Sequence, residues 1–264
     1  YPLLVDPLVV AEEATLIATG NTITSTGYTV ALSDLGNIAV VGAPYANIVG
    51  VSSGTAMVFV RTGTVWAQEA VLAPSFPAAN RRFGWSVAIA GNGARAAVGM
   101  TLDDVGLNTD AGSVRVFLRT GTTWAQEAIL TAADAAVSDN LGSSVAMSSD
   151  GSRVVTGVPG DDTGGASAGS ARVFTRTGTV WAAEATLVAS GATAGEEFGR
   201  SVAIVADGSR ALVGCPYDDP VAGTNAGSAR IYLRTGPVWA AEATLLPTTG
   251  GAQANFGMSV AFAS

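Results

Sequence analysis

The sequence predicts an all-β protein, a β-propeller built from four-stranded antiparallel blades. The first observation is a repeat in which four tryptophans are spaced by 58, 57 and 58 residues. Self-similarity at a fixed period is the sequence signature of propellers and other repeat architectures. The second observation is that 33 glycines interrupt short runs of Val, Ala, Leu and Ile, as in many short strands joined by tight turns. The marking tryptophans are Trp66, Trp124, Trp181 and Trp239.

Each repeat supplies four strands, which we name A to D in chain order. Strand A follows a Phe-Gly pair such as Phe83-Gly84, and strand B ends in a phrase such as Gly42-Ala43-Pro44. Strand C follows a Gly-rich loop, and strand D contains the tryptophan. Turns such as Asp150-Gly151 join A to B. Four antiparallel strands cannot bury both faces alone, so we expect the sheets to stack radially as blades.

The Phe-Gly and Gly-Ala-Pro signatures recur in register along the chain, in five and four copies. On these motifs the chain resembles FG-GAP repeat proteins, the repeat of the integrin α-subunit head and of many secreted bacterial and algal proteins. The resemblance covers essentially the whole chain. It implies a β-propeller fold and an extracellular or cell-surface role in adhesion or protein interaction.

The repeat divides the chain into one propeller array with four complete blades and two partial ends. A closed five-blade ring would need B and C strands to join those ends, so we expect a section of a longer array. The alternatives are termini that pair imperfectly and a neighbouring chain that supplies the missing strands. The predicted parts are the outer strand of a split blade (1–20), blade 1 (21–77), blade 2 (78–135), blade 3 (136–192), blade 4 (193–249) and the first strand of a further blade (250–264).

Composition narrows the classes of function. The chain has no histidine, which removes the commonest general base and the commonest transition-metal ligand. Its net charge of −8 argues against a nucleic-acid partner. No apolar run approaches the roughly 18 residues of a membrane span. The single cysteine, Cys215, replaces an alanine of the first repeat and is expected to be a small buried apolar residue.

These exclusions, and the absence of a catalytic motif, predict that the chain is not an enzyme. One alternative is a structural subunit of an extracellular filament or appendage. Another is an accessory propeller segment of a larger hydrolase or lyase.

Strand alternation places the loops at two ends of the predicted propeller. The A–B and C–D turns, at the short-turn end, are short and repetitive, whereas the B–C and D–A loops, at the long-loop end, are long and varied. Varied loops on a rigid scaffold are where binding usually occurs. We therefore expect a protein or glycan ligand at the long-loop end. The long loops are 102–112, 160–169 and 217–227 (B–C) and 73–82, 131–140 and 188–197 (D–A).

The two ends differ in predicted charge. Eleven acidic residues fall in the long loops against Arg81 and Arg82, a balance near −9. Seven arginines fall in the short turns against three aspartates, a balance near +4. The simplest explanation of this pattern is that turn residues are solvated. The alternatives are that the acidic end binds a cation or a basic partner, or that the protein self-associates head to tail.

Adjacent aspartates in three B–C loops are candidate calcium ligands, since hard cations are coordinated by several oxygen ligands. Such pairs are also ordinary turn residues that cap backbone N–H groups. The A–B turns are too short for the calcium loop that the resemblance would imply. The candidate pairs are Asp103-Asp104, Asp161-Asp162 and Asp218-Asp219.

Two kinds of repeated position are interpreted differently. A glutamate occurs at one position of every D strand, so we interpret it as structural and paired with Arg115, Arg172 or Arg230.

Trp85 instead breaks its repeat pattern, since the first, third, fourth and fifth copies have Tyr, Ser, Arg and Met there. Trp85, with Arg81 and Arg82, is the candidate for ligand contact, and packing between blades is the alternative role.

Overall fold

The strands form four separate antiparallel sheets, and each sheet pairs its four strands in chain order. A computed structural model describes residues 14–17, 25–220, 224–248 and 251–262. Each sheet holds the A, B, C and D strands of one repeat, which confirms the predicted propeller blades. The strands are β1 Thr29–Leu32, β2 Ile38–Ala43, β3 Thr55–Thr62 and β4 Val65–Leu72 (blade 1); β5 Phe83–Ile89, β6 Arg95–Met100, β7 Ser113–Thr120 and β8 Thr123–Leu130 (blade 2); β9 Val145–Met147, β10 Arg153–Val158, β11 Ser170–Thr177 and β12 Val180–Leu187 (blade 3); β13 Ser201–Ile204, β14 Arg210–Cys215, β15 Ser228–Thr235 and β16 Val238–Leu245 (blade 4).

Burial follows the position of a strand within its blade. Strands β2 and β6, second from the inside, are buried at every residue. The outermost strands, such as β4 and β8, have mostly exposed or half-buried residues. Small and β-branched side chains therefore fill both faces of the inner strands, where neighbouring blades pack against each other.

The two signature motifs meet at the interface between successive blades. The glycine in the Phe-Gly pair of one blade approaches the strand-B glycine of the blade before it: a Cβ atom on Gly157 would overlap the carbonyl oxygen of Gly199. A strand-A serine of the earlier blade donates to that same carbonyl, at 2.8 Å from Ser144 Oγ to the oxygen of Gly199. Ser86 and Ser201 make the equivalent bonds to the next blade. The residues of the repeat signature thus make the contact between successive blades.

A second inter-blade contact joins the outer strands. Glu184 of β12 accepts hydrogen bonds from Arg153 of its own blade and from Arg234 and Trp239 of the next blade, at 3.0, 2.7 and 3.3 Å. Burial works against ionisation of Glu184, but these three donors outweigh it and lower the pKa of its carboxyl group. Equivalent bonds to the next blade join Glu69 to Arg119 and Trp124, and Glu127 to Arg176 and Trp181.

The predicted partners of these glutamates were therefore wrong. The arginines that bind them lie at the start of strand B and near the end of strand C, next to strand D. Arg115, Arg172 and Arg230 lie on strand C toward the opposite end of the blade and pair with aspartates instead.

The ends of the described chain differ from the complete blades. Neither 14–17 nor 251–262 contains a strand, and the remainder of the predicted terminal strands lies outside the described residues. Phe256 nevertheless bridges to Gly227 of blade 4, as the other Phe-Gly units do to the blade before them. On β1, Val30 is 67% exposed, whereas the equivalent Val87 is 8% exposed. The described residues thus leave one face of blade 1 open, and the division of the chain into blades and partial ends stays a prediction.

Candidate functional site

A cleft of about 440 Å³ opens at the long-loop end, where residues from three successive blades meet. Trp85, Ser143 and Arg200 line it, and each directly follows the glycine of a Phe-Gly or Leu-Gly pair. Because strand A is the innermost strand of every blade, this repeat position brings the three side chains together. We call this site the axial cleft. Its walls are completed by loop residues Arg82, Thr101, Leu102, Ser138, Asn140, Pro159, Gly160, Ser167 and Glu197.

Trp85 and Arg82, which line the axial cleft, belong to a cluster with two further aromatic side chains. The ring of Trp85 lies 4.9 Å from that of Tyr28 and 6.3 Å from that of Tyr45, between centroids. The guanidinium carbon of Arg82 lies 5.3 Å from the Trp85 centroid and 5.5 Å from the Tyr45 centroid. This is cation–π distance, and it holds the planar guanidinium group against the rings.

The structure separates the three residues that were predicted to contact a ligand. Arg82 and Trp85 are brought together in the axial cleft. Arg81 is not in it, because its guanidinium group donates to Asp104 at 2.6 Å and to the carbonyl of Leu102 at 2.9 Å. The contact with Asp104 raises the pKa of Arg81. A role in ligand contact stays a prediction for all three residues.

Sequence reasoning missed two charged residues of the axial cleft. Arg200 occupies the repeat position of Trp85, and Glu197 occupies that of Arg82. They form an ion pair at 3.2 Å, with side chains 43% and 32% exposed. An alignment of the repeats would have found both residues. It would have required the assumption that all residues at the Trp85 and Arg82 positions face one cavity.

Backbone conformation helps to place these side chains. Arg82, Asn140 and Glu197 each precede a Phe-Gly or Leu-Gly pair, and their φ angles are 54°, 58° and 52°. This left-handed conformation is uncommon for residues other than glycine. It recurs at one position in three blades, so it belongs to the repeat, and all three side chains line the cleft.

The aspartate pairs that were predicted to bind calcium have protein partners. In blade 3, Asp161 accepts a hydrogen bond from Arg172 and one from Ser170, both at 2.5 Å. Its neighbour Asp162 accepts a hydrogen bond from the backbone N–H of Ser167, at 2.8 Å. The same two roles recur in the other pairs, where Asp103 and Asp218 pair with Arg115 and Arg230, and Asp104 and Asp219 cap the N–H groups of Asp110 and Asn225.

These contacts are a poor fit to a calcium ion, which needs several free oxygen ligands at once. Across the described ranges, no group of three or more His, Cys, Asp or Glu side chains is placed to hold a metal ion. Calcium binding stays a prediction of the sequence, and the ion pairs assign the six aspartates a structural role.

The charge of the two ends is also different from the prediction. At the long-loop end, Arg115, Arg172, Arg200 and Arg230 join Arg81 and Arg82, so eleven acids face six arginines, a balance of −5. At the short-turn end, the four strand-D glutamates join three aspartates against seven arginines, a balance of zero. The charge contrast that motivated head-to-tail self-association is therefore weaker, and self-association stays a prediction.

Cys215 takes no part in the axial cleft. It is fully buried in β14 and has no disulfide partner. Burial raises the pKa of its thiol to about 12, so the nucleophilic thiolate is not formed near neutral pH.

Comparison with known proteins identifies the family of this chain. The family described as FG-GAP repeat matches residues 66–117, 124–174 and 181–232, more than half of the chain. The chain belongs to the FG-GAP repeat family. The three matched segments span the D strand of one blade to the C strand of the next, which fits the inter-blade contacts described above. No curated protein matches the chain.

Solved structures show the same fold at low sequence identity. A putative 6-phosphogluconolactonase from Bacteroides uniformis has a TM-score of 0.54 and 13% identity, over 83% of this chain and 54% of that protein. The periplasmic gluconolactonase of Pseudomonas aeruginosa has a TM-score of 0.53 and 14% identity, over 83% of this chain and 57% of that protein. The FG-GAP chain thus spans little more than half the length of either structure.

These structures correct the prediction that the chain is not an enzyme. Both are named as lactonases, so the fold of this chain also occurs in proteins that are named as enzymes. The absence of histidine and of a familiar motif was too weak a ground for excluding catalysis. At 13–14% identity the likeness shows the fold alone. The described part of the chain contains no helix that could span a membrane.

Proposed function

We propose that this FG-GAP propeller binds a carbohydrate ligand in the axial cleft and serves in adhesion or interaction outside the cell or at its surface. The observation that carries the proposal is the assembly of Trp85 and Arg82 of blade 2 and Arg200 of blade 4 around one concave site. Aromatic faces pack against the apolar faces of sugar rings, while polar groups at the rim bond to hydroxyl groups. The extracellular setting is supported by the family resemblance and by the periplasmic protein of similar fold.

A concave site favours a small ligand or the end of a glycan chain over a flat protein surface. Thr101, Ser143 and Ser167 contribute hydroxyl groups to the cleft walls. The varied B–C and D–A loops form its rim, which is where a rigid scaffold usually carries specificity. A protein partner on these loops is the alternative outcome of the experiment below.

Substitution of Trp85 is expected to weaken carbohydrate binding by at least about tenfold, about 1.4 kcal/mol. The protein and its Trp85→Ala variant would be applied to a panel of immobilised mono- and oligosaccharides. Phe76→Ala is the matched control, because Phe76 is 76% exposed at the same end and does not line the cleft. Equal binding by wild type and Trp85→Ala would overturn the proposal.

A second candidate function is hydrolysis of a sugar lactone, favoured by Glu197, which pairs with Arg200 in the cleft that Arg82 also lines. The oxygen of a water molecule would attack the lactone carbonyl carbon while the Glu197 carboxylate takes the water proton. Arg82 or Arg200 would stabilise the oxyanion. The ring C–O bond then breaks and the proton returns to the ring oxygen, which leaves a hydroxy acid. The names of the two similar structures point to the same substrate class.

If the cleft is catalytic, Glu197→Gln is expected to lower kcat/KM for glucono-δ-lactone by about 100-fold, the usual contribution of a general base. The measurement is proton release after subtraction of the spontaneous reaction. Glu242→Gln is the control, since Glu242 pairs with Arg210 on the outside of blade 4. A wild-type rate equal to the spontaneous rate would remove this candidate.

A further inference from the structure

We infer that the ligand of the axial cleft is an acidic sugar, a pyranose that carries one carboxylate group recognised by Arg82. The inference rests on the proposed carbohydrate-binding function and specifies its chemical class. Among the described residues, no carboxylate lies within ion-pair distance of Arg82, whereas Arg81, one residue earlier, pairs with Asp104. An arginine that lines a cleft without a carboxylate partner is suited to a ligand that brings one.

The contacts of Arg82 prepare it for this role. Its guanidinium carbon lies 5.3 Å from the Trp85 centroid and 5.5 Å from the Tyr45 centroid. A cation–π contact of this kind uses the charge of the guanidinium group, and its N–H donors stay available for a carboxylate. Because the rings already restrict the side chain, less conformational entropy is lost when a ligand binds.

The cleft also offers a surface for the sugar ring. Trp85 is half-buried, and its ring is tilted 46° to that of Tyr28, which is 45% exposed. Trp85 gives the cleft an apolar wall directly beside the guanidinium group of Arg82, and Tyr28 packs against the Trp85 ring. A pyranose with its C–H face on this wall would place a ring substituent within reach of Arg82, which is the relation between ring and carboxylate in a uronic acid.

Arg200 adds a second positive charge that a ligand could recruit. Its partner Glu197 is three residues away, and both side chains are substantially exposed. Exposed pairs of this kind contribute little to stability, so a ligand carboxylate could compete for Arg200 at small cost. The cleft itself then holds two positive charges and one negative charge.

The surroundings limit how much charge the ligand carries. The long-loop end as a whole has a balance of −5, so a densely charged polyanion would be repelled around the cleft. A single carboxylate placed on Arg82 meets the local positive charge and avoids that repulsion. The site is therefore suited to one acidic sugar, free or at the end of a glycan, more than to a polysulfated chain.

The test compares methyl β-D-glucuronide with methyl β-D-glucoside, which differ only in the carboxylate. Isothermal titration of the wild-type protein is expected to show at least tenfold tighter binding of the glucuronide, as for a charge-assisted hydrogen bond. Arg82→Gln is expected to abolish this preference, so that the glucuronide and the glucoside bind with equal affinity. Arg82→Lys keeps the positive charge but lacks the planar guanidinium group, so its preference for the glucuronide should lie between those of the wild type and Arg82→Gln. Arg210→Gln, which removes an arginine from the outside of blade 4, is the control and should bind as wild type does.

Four results would overturn the inference. Equal affinity for the two sugars, or a preference that survives Arg82→Gln, would show that Arg82 does not recognise a carboxylate. If neither sugar binds but another saccharide of the panel binds in a Trp85-dependent way, the acidic class is wrong and the carbohydrate proposal stands. If no saccharide of the panel binds, both fail.

Discussion

Gly157→Ala is expected to destabilise the protein by about 3 kcal/mol, the upper end of the usual range for overpacking in a rigid core. Gly157 lies in β10, where an added Cβ atom would overlap the carbonyl oxygen of Gly199 in the next blade. Neither side can yield easily, because the atom that is met belongs to the backbone. That same carbonyl also accepts the hydrogen bond from Ser144, so a shift of blade 4 would break the bond as well.

The measurement is the free energy of unfolding from denaturant titration. Gly251→Ala is the matched control, because an added Cβ atom at Gly251 meets no other atom within 4 Å. Its φ angle is also outside the left-handed region, as that of Gly157 is. A loss below about 1 kcal/mol for Gly157→Ala would contradict the assignment of the Gly-Ala-Pro glycine to the inter-blade contact.

The blades could be predicted from the sequence because their determinants are local and repeated. The spacing of the tryptophans gives the length of a blade, and the Phe-Gly and Gly-Ala-Pro phrases mark strands that pair in chain order. Contacts between blades were harder to predict. The partner of Glu69 is Arg119, 50 residues away, and spacing alone does not distinguish a partner in the same blade from one in the next.

The candidate site was predicted in part for a related reason. Trp85 could be singled out because it breaks the repeat, and Arg82 because it is close in sequence. Arg200 and Glu197 belong to another blade, and only radial stacking brings them to the same cleft. The charge of each end was wrong because loop residues alone were counted. Arginines near the start of strand C and glutamates of strand D reach the same ends from within the blades.

The buried ion pairs of strand C provide a natural comparison within the chain. In blade 3, Asp161 and Arg172 are 5% and 6% exposed and pair at 2.5 Å. At the equivalent positions blade 1 has Ala46 and Met57, both fully buried. The same two repeat positions therefore hold a charged pair in blade 3 and an apolar pair in blade 1. This fits the general finding that well-packed apolar residues can replace a buried ion pair.

Asp161→Ala is expected to destabilise the protein by about 3–5 kcal/mol, because it leaves Arg172 buried without its closest counter-charge. The double variant Asp161→Ala/Arg172→Met reproduces the blade 1 pair and is expected to be more stable than Asp161→Ala alone.

Asp162→Ala serves as the control for the loss of one carboxylate, since Asp162 is exposed and caps only a loop N–H group. It is expected to cost about 1 kcal/mol or less. A double-mutant cycle from denaturant unfolding gives the coupling between Asp161 and Arg172 directly. Additive losses would show that the two charges do not stabilise each other. The apolar pair of blade 1 would then have to be explained by the packing of that blade alone.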